Sequence, residues 1–171
     1  MASASLWNGR TRGGWSGSGW SGLRRRAVTL EKARRRLKTL AERAYAPYSR
    51  FPVAALVVSS SGRVYAGVNV ENASFPLSLC AERSAVAAMV AAGERAINRV
   101  YLYSPQGPIP PCGACRQVLA EFALPGAEVV ALGPQGVETR PLAELLPWTF
   151  RLASGIVRSG VHGQDRAQEE E

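Results

Sequence analysis

The sequence predicts a single α/β domain whose sheet is covered by helices on both faces. Three observations lead to this fold class. The chain has 171 residues, a length that suits one domain with a substantial core. Hydrophobic residues make up 46% of the chain, an ordinary value for a globular protein. The elements follow the order helix, strand, strand, helix, strand, helix, strand, strand, helix, which is typical of a layered sheet.

The first predicted helix covers about residues 30–44. Thr29 can cap its N-terminus, and Pro47 ends it. An apolar stripe recurs along this helix at helical spacing, at Leu30, Ala33, Leu37, Leu40 and Ala44. The stripe predicts that one face of the helix packs on the sheet.

A hairpin is predicted next, with strands over residues 51–58 and 63–68 and a short turn between them. Asn69 and Glu71 continue from the second strand. Because residues two apart in an extended segment point the same way, they would present an amide and a carboxylate side by side. This arrangement suits a hydroxyl-bearing ligand, but a polar strand end explains the pattern equally well.

The remaining elements are a buried alanine-rich helix over residues 80–92 ended at Gly93, a strand over 99–104, a helix over 112–122, strands over 127–132 and 137–140, and a short helix over 141–146. Only four residues separate the last two strands. Parallel neighbours need a crossover of a dozen or more residues, so these strands are predicted to be antiparallel if they pair.

The net charge of +8 is concentrated near the N-terminus. Residues 1–43 hold eleven Lys and Arg against two acids, whereas the remainder is close to neutral. We expect residues 1–28 to be a disordered basic extension, 29–158 to be the folded domain, and 159–171 to be a disordered tail. Composition leaves open a transit peptide, a misassigned start codon and a polyanion-binding arm for the extension.

All three cysteines fall in two short segments, as Cys80 and the pair Cys112 and Cys115. Three thiolates can hold one zinc ion and leave a fourth position open, as catalytic rather than structural zinc sites do. The only histidine, His162, lies in the polar tail, so we expect water as the fourth ligand. Glu82 is placed to move the proton of that water. Both segments open predicted helices, whose positive N-termini favour thiolates.

The C-x-x-C pair alone also fits a redox dithiol, half of a structural zinc site, or two small core residues. No other cysteine is available to close a structural site, and Cys80 with Glu82 favours a zinc hydrolase that deaminates a base. An odd cysteine count argues against a closed disulfide framework, and thiolate ligands fit a reducing compartment.

Several segments resemble the small, homotetrameric cytidine deaminases that act on free nucleosides, namely residues 44–49, Phe51, 69–74, 80–83 and 111–122. The resemblance covers about residues 30–150. It implies a three-layer α/β/α cytidine-deaminase-like fold with a five-stranded mixed sheet. It also implies one Zn²⁺ per subunit, a cytoplasmic homotetramer, a nucleoside substrate, and neither a membrane nor a nucleic-acid partner for the catalytic domain.

The resemblance further implies hydrolysis of cytidine and deoxycytidine to uridine and deoxyuridine, a step of pyrimidine salvage. Cys80, Cys112 and Cys115 would bind zinc. A zinc-bound hydroxide would attack C4, while Glu82 shuttles a proton from the water to ring N3 and later to the departing ammonia. Substrate contacts are expected from Phe51, Asn69, Glu71 and Ala81.

Two arginines and one phenylalanine complete the implied site. Three thiolates and a hydroxide around a dication leave a charge of about −2, which Arg83 and Arg116 would offset. Ordinary helix surface charge is the alternative for both arginines. Phe150 is expected to reach a neighbouring subunit's site. Three residues depart from the family pattern, namely Ala54, Pro110 and Trp148.

Other functions remain open at this point. Polynucleotide and tRNA deaminases typically use His as the first zinc ligand and connect their last two strands through a helix, unlike the pattern here. A deaminase of another cytosine-containing small molecule is a second alternative. A zinc-stabilised, non-enzymatic domain with a basic nucleic-acid-binding arm is a third, although it does not account for Glu82.

Overall fold

The computed structural model of the chain describes residues 28–151. Its elements are α1 (Leu30–Ala41), β1 (Ala54–Ser59), β2 (Val64–Val68), a 3-10 turn (Phe75–Leu77), α2 (Ala81–Ala91), β3 (Ile97–Tyr103), α3 (Gly113–Phe122), β4 (Ala123–Leu132), β5 (Val137–Pro141) and α4 (Leu142–Leu145). The helices and strands confirm the predicted order. The segments predicted to be disordered lie outside the described residues, apart from Val28. None of the described helices has the length and apolar character needed to span a membrane.

The five strands form one mixed sheet in the order β2-β1-β3-β4-β5. Strands β3 and β4 are parallel and joined through α3, and the other neighbours are antiparallel. The antiparallel pairing of the first hairpin and of the last two strands is confirmed. Residues 133–136 alone connect β4 to β5, as the spacing predicts.

Helices cover both faces of the sheet, which confirms the three-layer arrangement. One core cluster joins α1 to alternate residues of β1, β3 and β4, including Leu56, Tyr101 and Val130. The other cluster joins α2, α3 and α4 to the intervening residues, including Val57, Val100 and Val129. The side chains divide in this way because successive residues of a strand point to opposite faces.

The buried stripe of α1 differs from the predicted one. Thr29 caps the helix by accepting from the backbone N–H of Lys32 at 3.4 Å, as predicted. The buried residues are Ala33, Leu37 and Ala41, whereas Leu30 is 43% exposed. The helix also ends at Ala41 rather than near residue 44. The chain turns there, and Tyr45 then forms a β-bridge with Val70.

Other boundaries and burial patterns also differ from the predicted ones, and three of them bear on the site or the core. Strand β1 begins at Ala54, not at Phe51, because the backbone groups of Phe51 and Val53 bond to the side chain of Asn69. Strand β4 begins four residues earlier than predicted, directly after α3. The predicted all-round burial of α2 is also incorrect, since one side of it is exposed, at Ala87, Ala88 and Ala91.

The strand register places the segments that carry the predicted site residues at one end of the strands, which we call the site edge of the sheet. Ala54, the first residue of β1, pairs with Val68 at the end of β2 and with Tyr103 at the end of β3. Tyr103 also pairs with Leu132 at the end of β4. The chain before β1 and the chain after β2, β3 and β4 therefore meet at this edge, and α2 and α3 begin from it.

Candidate active site

The three cysteine sulfurs meet where α2 and α3 begin. The Sγ atoms of Cys80, Cys112 and Cys115 all lie within 4.8 Å of one another, and those of Cys80 and Cys112 are 3.9 Å apart. Tetrahedral zinc with Zn–S bonds of about 2.3 Å places its sulfur ligands about 3.8 Å apart. The donor set therefore fits one zinc ion, and no fourth His, Cys, Asp or Glu joins the group within the described part of the chain.

The local backbone explains how the sulfurs become available. Cys80 is the N-cap of α2 and Cys112 is the N-cap of α3, while Cys115 lies in the first turn of α3. Neither N-cap side chain accepts a capping hydrogen bond, so both sulfurs are free to face the shared space. Both cysteine segments thus open helices, as predicted, and the helix N-termini favour negative charge there.

The start of α2 is held close to the sheet. Val70, after β2, and Leu79, before Cys80, exchange two backbone hydrogen bonds of 2.9 Å. Gly67 of β2 lies against the first turn of α2, and a Cβ at this position would come within 2.4 Å of the carbonyl oxygen of Ala81. The absence of a side chain at Gly67 therefore allows the helix to sit where it does.

The loop before Cys112 is fixed by two contacts. Arg116, on α3, donates from Nε to the carbonyl oxygen of Pro111 at 2.8 Å. Gly133, in the β4–β5 turn, lies so close to Gly107 that a Cβ on it would be 2.6 Å from the Gly107 Cα. The first contact ties the residue before Cys112 to α3, and the second packs the loop against the turn that follows β4.

The two predicted charge-offsetting arginines have different surroundings. Arg83 donates from NH2 to the carbonyl oxygen of Ser78 at 2.7 Å and lies 4.0 Å from the Cys80 sulfur. Its Nε is buried with no hydrogen-bond partner within residues 28–151. Arg116 instead bonds to the carbonyl oxygens of Pro111 and Leu145. Its predicted effect on the thiolates would thus act without a direct hydrogen bond to sulfur.

The sulfurs influence one another electrostatically. A hydrogen bond from Cys115, with further ones from Arg83 and Cys112, lowers the pKa of Cys80 to about 5. The same pairing with Cys80, together with burial, raises the pKa of the Cys115 thiol. The place of Cys80 beside the Arg83 guanidinium thus favours the charged form of this sulfur.

Glu82 lies in the first turn of α2 and is only 5% exposed. Burial raises the pKa of its carboxyl group, and the nearby Cys80 charge acts in the same direction. A hydrogen bond from its own backbone N–H opposes this shift. A buried carboxyl group beside the three sulfurs is the arrangement expected of a group that exchanges protons there.

Two of the predicted substrate contacts, Asn69 and Glu71, lie just after β2. The Asn69 side chain accepts from the N–H of Val53 at 2.8 Å and donates to the carbonyl oxygen of Phe51 at 2.9 Å. Glu71 accepts hydrogen bonds from the loop that precedes Phe51. Phe51 is partly exposed, whereas Ala81 is fully buried. The two polar side chains thus hold the loop that precedes β1.

Phe150 lies on a segment attached to the outer side of α3. Gln117 donates from Nε2 to the carbonyl oxygen of Phe150 at 2.9 Å. Phe150 is 69% exposed and Trp148 is 97% exposed. Sequence reasoning did not single out Gln117, because a long-range bond to a backbone oxygen leaves no pattern in the sequence. Ser49 lies in the matched segment 44–49, but no role was predicted for it, because its side-chain bond to Glu71 joins two segments that are distant in the sequence.

Comparison with known proteins gives consistent matches. A profile of the cytidine and deoxycytidylate deaminase zinc-binding region matches residues 28–132, a stretch that includes all three cysteines. The cytidine deaminase of Sporosarcina psychrophila is 39% identical over 125 residues, covering 72% of this chain and 92% of that protein.

Solved structures show the same likeness. The crystal structure of cytidine deaminase from Burkholderia pseudomallei is 44% identical, with a TM-score of 0.67, and the match covers 71% of this chain and 99% of that one. The corresponding structure from Mycobacterium leprae is 39% identical, with a TM-score of 0.61 and coverage of 70% and 98%. The mixed sheet and its helical layers are thus a known arrangement.

Proposed function

The chain belongs to the cytidine and deoxycytidylate deaminase family, and from this premise we propose that it hydrolyses cytidine and deoxycytidine to uridine and deoxyuridine. Membership makes it an enzyme that deaminates cytidine. The observation that carries the finer proposal is the meeting of three sulfurs within 4.8 Å next to a buried carboxyl group, that of Glu82. We assign the reaction to pyrimidine salvage because its products are the corresponding uracil nucleosides.

Cys80, Cys112 and Cys115 would hold the zinc ion, one per chain. As in zinc-dependent base deaminases generally, zinc would lower the pKa of a water molecule and so supply the nucleophile for C4 of the pyrimidine. The positions of Cys80 and Cys112 at two helix N-termini support this assignment, because the helix dipoles offset part of the thiolate charge.

Glu82 would move every proton in the reaction. Its carboxylate would take one proton from the attacking water and deliver it to ring N3. It would then carry the second proton from the new C4 hydroxyl to the amino group, so that the C4–N bond breaks, ammonia leaves and the C4 carbonyl forms. The balance is one water consumed and one ammonia released. Burial of Glu82 at the first turn of α2 supports this role, because it keeps the carboxyl group away from bulk water and close to the sulfurs.

The neighbouring residues would offset the negative charge of the zinc-bound thiolates and bind the substrate. Arg83, beside Cys80, would offset thiolate charge directly, and Arg116 would do so at longer range. Asn69 and Glu71 would hold the ribose hydroxyls, with Phe51 against the base, and Ala81 would add a further substrate contact. Phe150 would contact the site of a neighbouring subunit in a homotetramer.

The link between β4 and β5 supports a free nucleoside as substrate. These strands are antiparallel and joined by four residues, without the helix that we expect between them in polynucleotide deaminases. The pair Asn69 and Glu71 also suits a free sugar. Three thiolate ligands favour a reducing compartment, so we assign the enzyme to the cytoplasm.

The domain organisation also belongs to this proposal. We keep residues 29–158 as the catalytic domain and residues 1–28 as the extension. The bond from the hydroxyl of Tyr101 to the carbonyl oxygen of Val28 at 3.1 Å supports a boundary close to this position. We expect the basic segment before it to contribute nothing to turnover.

The experiment that tests the proposal is ammonia release from cytidine and deoxycytidine by the purified full chain, with zinc measured in the same sample. Release from both nucleosides, with one zinc per chain, is the expected result. Zinc without ammonia release from either nucleoside would point to a zinc-stabilised domain instead. Release from cytidine alone would remove deoxycytidine from the proposal.

A further inference from the structure

The loop between α1 and β1 is fastened to the segment after β2 at both of its ends. At its start, Tyr45 donates from N–H to the carbonyl oxygen of Asn69 at 3.0 Å and accepts from the N–H of Glu71 at 2.8 Å. At its end, the Asn69 side chain bonds to the carbonyl oxygen of Phe51 at 2.9 Å. The proposed sugar contacts and the proposed base contact therefore belong to one hydrogen-bonded unit.

Ser49 joins the two kinds of contact in the middle of this unit. The Ser49 hydroxyl donates to Oε1 of Glu71. The Oγ atom of Ser49 also accepts a hydrogen bond from the N–H of Phe51 at 3.0 Å. A hydroxyl has one donor and two lone pairs, so it can make both bonds together. The backbone N–H groups of Tyr48 and Ser49 donate to Oε2 of Glu71 at 2.9 and 3.1 Å.

These donors fix the charge state of Glu71. The hydrogen bond from the Ser49 hydroxyl, with support from the backbone N–H groups of Ser49 and Tyr48, lowers the pKa of Glu71. An ionised carboxylate can only accept hydrogen bonds. The lone pairs that the loop leaves free therefore suit a partner that donates, such as a sugar hydroxyl.

The loop adopts an unusual backbone conformation at Arg50. This residue has a φ of +54°, a left-handed value that residues other than glycine seldom adopt. It is held by a bond from its N–H to the carbonyl oxygen of Ala46 at 3.0 Å and by one from Gln106 Nε2 to its own carbonyl oxygen at 3.2 Å. Such conformations persist where the surroundings impose them, often at ligand sites. The turn at Arg50 brings the N–H of Phe51 within reach of the Ser49 hydroxyl.

We propose that Ser49 is a positioning residue for nucleoside recognition, whose hydroxyl, itself held by the N–H of Phe51, orients Glu71 towards the sugar hydroxyls. This proposal rests on the proposed function and deepens it, because it names the residue that prepares the sugar contact. In Ser49→Ala the two backbone donors to Oε2 remain, so the loop keeps much of its support. Oε1 and the N–H of Phe51 each lose a partner.

The test compares cytidine with 2′,3′-dideoxycytidine, which has no sugar hydroxyl at either position. We expect Ser49→Ala to lower kcat/KM for cytidine about tenfold, mainly through KM, because one hydrogen bond to a charged group is lost. For the dideoxy substrate we expect a change below about twofold, since the orientation of Glu71 no longer matters there. Ser49→Thr keeps the hydroxyl and should restore most of the activity.

Ser60→Ala is the matched control. Ser60 is exposed in the β1–β2 turn, and its backbone N–H bond to Ala96 survives the change. An equal loss on both substrates in Ser49→Ala, or a loss confined to kcat, would indicate general damage to the loop and overturn the proposal. Unchanged kinetics would overturn it as well.

Calorimetric binding of uridine and 2′,3′-dideoxyuridine separates this proposal from the proposed function, because binding needs no turnover. Ser49→Ala should weaken uridine about tenfold and leave the dideoxy ligand nearly unchanged. The wild-type chain could bind uridine, with the expected weakening in Ser49→Ala, and yet release no ammonia from cytidine. That result would refute the deaminase proposal and support the role of Ser49. A wild-type chain that binds no nucleoside would overturn both.

Discussion

Gly67 on β2 and Ala81 in the first turn of α2 are in direct backbone contact. A Cβ built on Gly67 would lie 2.4 Å from the carbonyl oxygen of Ala81 and equally close to the backbone nitrogen of Ala85. Backbone atoms in the middle of a packed layer cannot move aside cheaply. This contact sets the distance between the sheet and the helix that carries Cys80 and Glu82.

We therefore expect Gly67→Ala to lower the free energy of unfolding by about 1–3 kcal/mol, as overpacking of a well-packed core typically does. Helix α2 must shift to admit the methyl group, and Cys80 and Glu82 would shift with it. Turnover should fall together with stability. Urea unfolding and ammonia release measure the two effects.

The control is Gly113→Ala at the start of α3, where an added Cβ meets nothing within 4 Å. We expect this variant to be as stable as the wild type or slightly more stable, because alanine restricts the unfolded chain. If Gly67→Ala proves as stable as Gly113→Ala, the close contact does not determine the packing of α2.

Glu82→Gln should separate catalysis from zinc binding. Glutamine keeps the shape of the side chain but cannot transfer a proton, so we expect kcat for cytidine to fall about 10²- to 10⁴-fold. Zinc content should stay at the wild-type value because Glu82 is not among the three residues whose ligand atoms cluster. Stability should not decrease, since a neutral amide is less costly to bury than an ionised carboxylate.

Glu121→Gln, on the exposed side of α3, serves as the matched control and should have wild-type turnover. A Glu82→Gln variant that deaminates cytidine at more than about a tenth of the wild-type rate would exclude general acid–base catalysis by this residue.

The sequence predicted the elements well because local patterns encode them. Thr29 caps the start of α1, and Gly93, with a φ of +84°, follows the end of α2. Both signals depend only on a few neighbouring residues. The buried stripe of α1 was harder to predict because Leu30, although correctly spaced, lies at the end of the helix and finds no cover. The positions of the three cysteines predicted the candidate metal site, because few sites other than a zinc site use three thiolates next to a glutamate.

Contacts between distant segments could not be predicted. The side chain of Arg34, on α1, donates to the carbonyl oxygens of Gly133 and Gly136, about a hundred residues further along the chain. The bond from the Gln117 side chain to the carbonyl oxygen of Phe150 is of the same kind. Backbone oxygens occur at every position, so their partners depend on the folded geometry and leave no mark in the sequence.

Glu94 should make stability depend on pH away from the active site. It follows α2, accepts from the Ser61 hydroxyl at 2.7 Å and pairs with Arg63 at 3.3 Å. Hydrogen bonding from the Ser59 hydroxyl, and then from Ser61, lowers the pKa of Glu94 below its ordinary value of 4.5. A carboxyl group with a lowered pKa stabilises the fold above its unfolded pKa, and this contribution is lost as pH falls through the folded value.

We therefore expect Glu94→Gln to lower the free energy of unfolding by about 1 kcal/mol at pH 7, a modest value because Arg63 is half-exposed. The difference from the wild type should shrink as the pH falls from 4.5 through the lowered pKa of the folded protein, below which the wild-type carboxyl group is neutral as well. Urea unfolding at several pH values measures this, with Glu138→Gln on the exposed β5 as control. A difference that is constant with pH would show that the charge of Glu94 is not involved.

Zinc removal should destabilise the fold as well as stop turnover, because the three sulfurs connect the first turns of α2 and α3. A ligand that binds only the folded state at 1,000 times its Kd adds about 4 kcal/mol of stability. For a domain of this size we expect a chelator to lower Tm by roughly 10 °C, and added zinc to restore both Tm and ammonia release. Cys112→Ala supplies the control, since its Tm should already be low and should respond little to the chelator. A wild-type Tm that is unaffected by complete removal of the metal would mean that the two helix starts are held by packing alone, and that zinc contributes only to the chemistry.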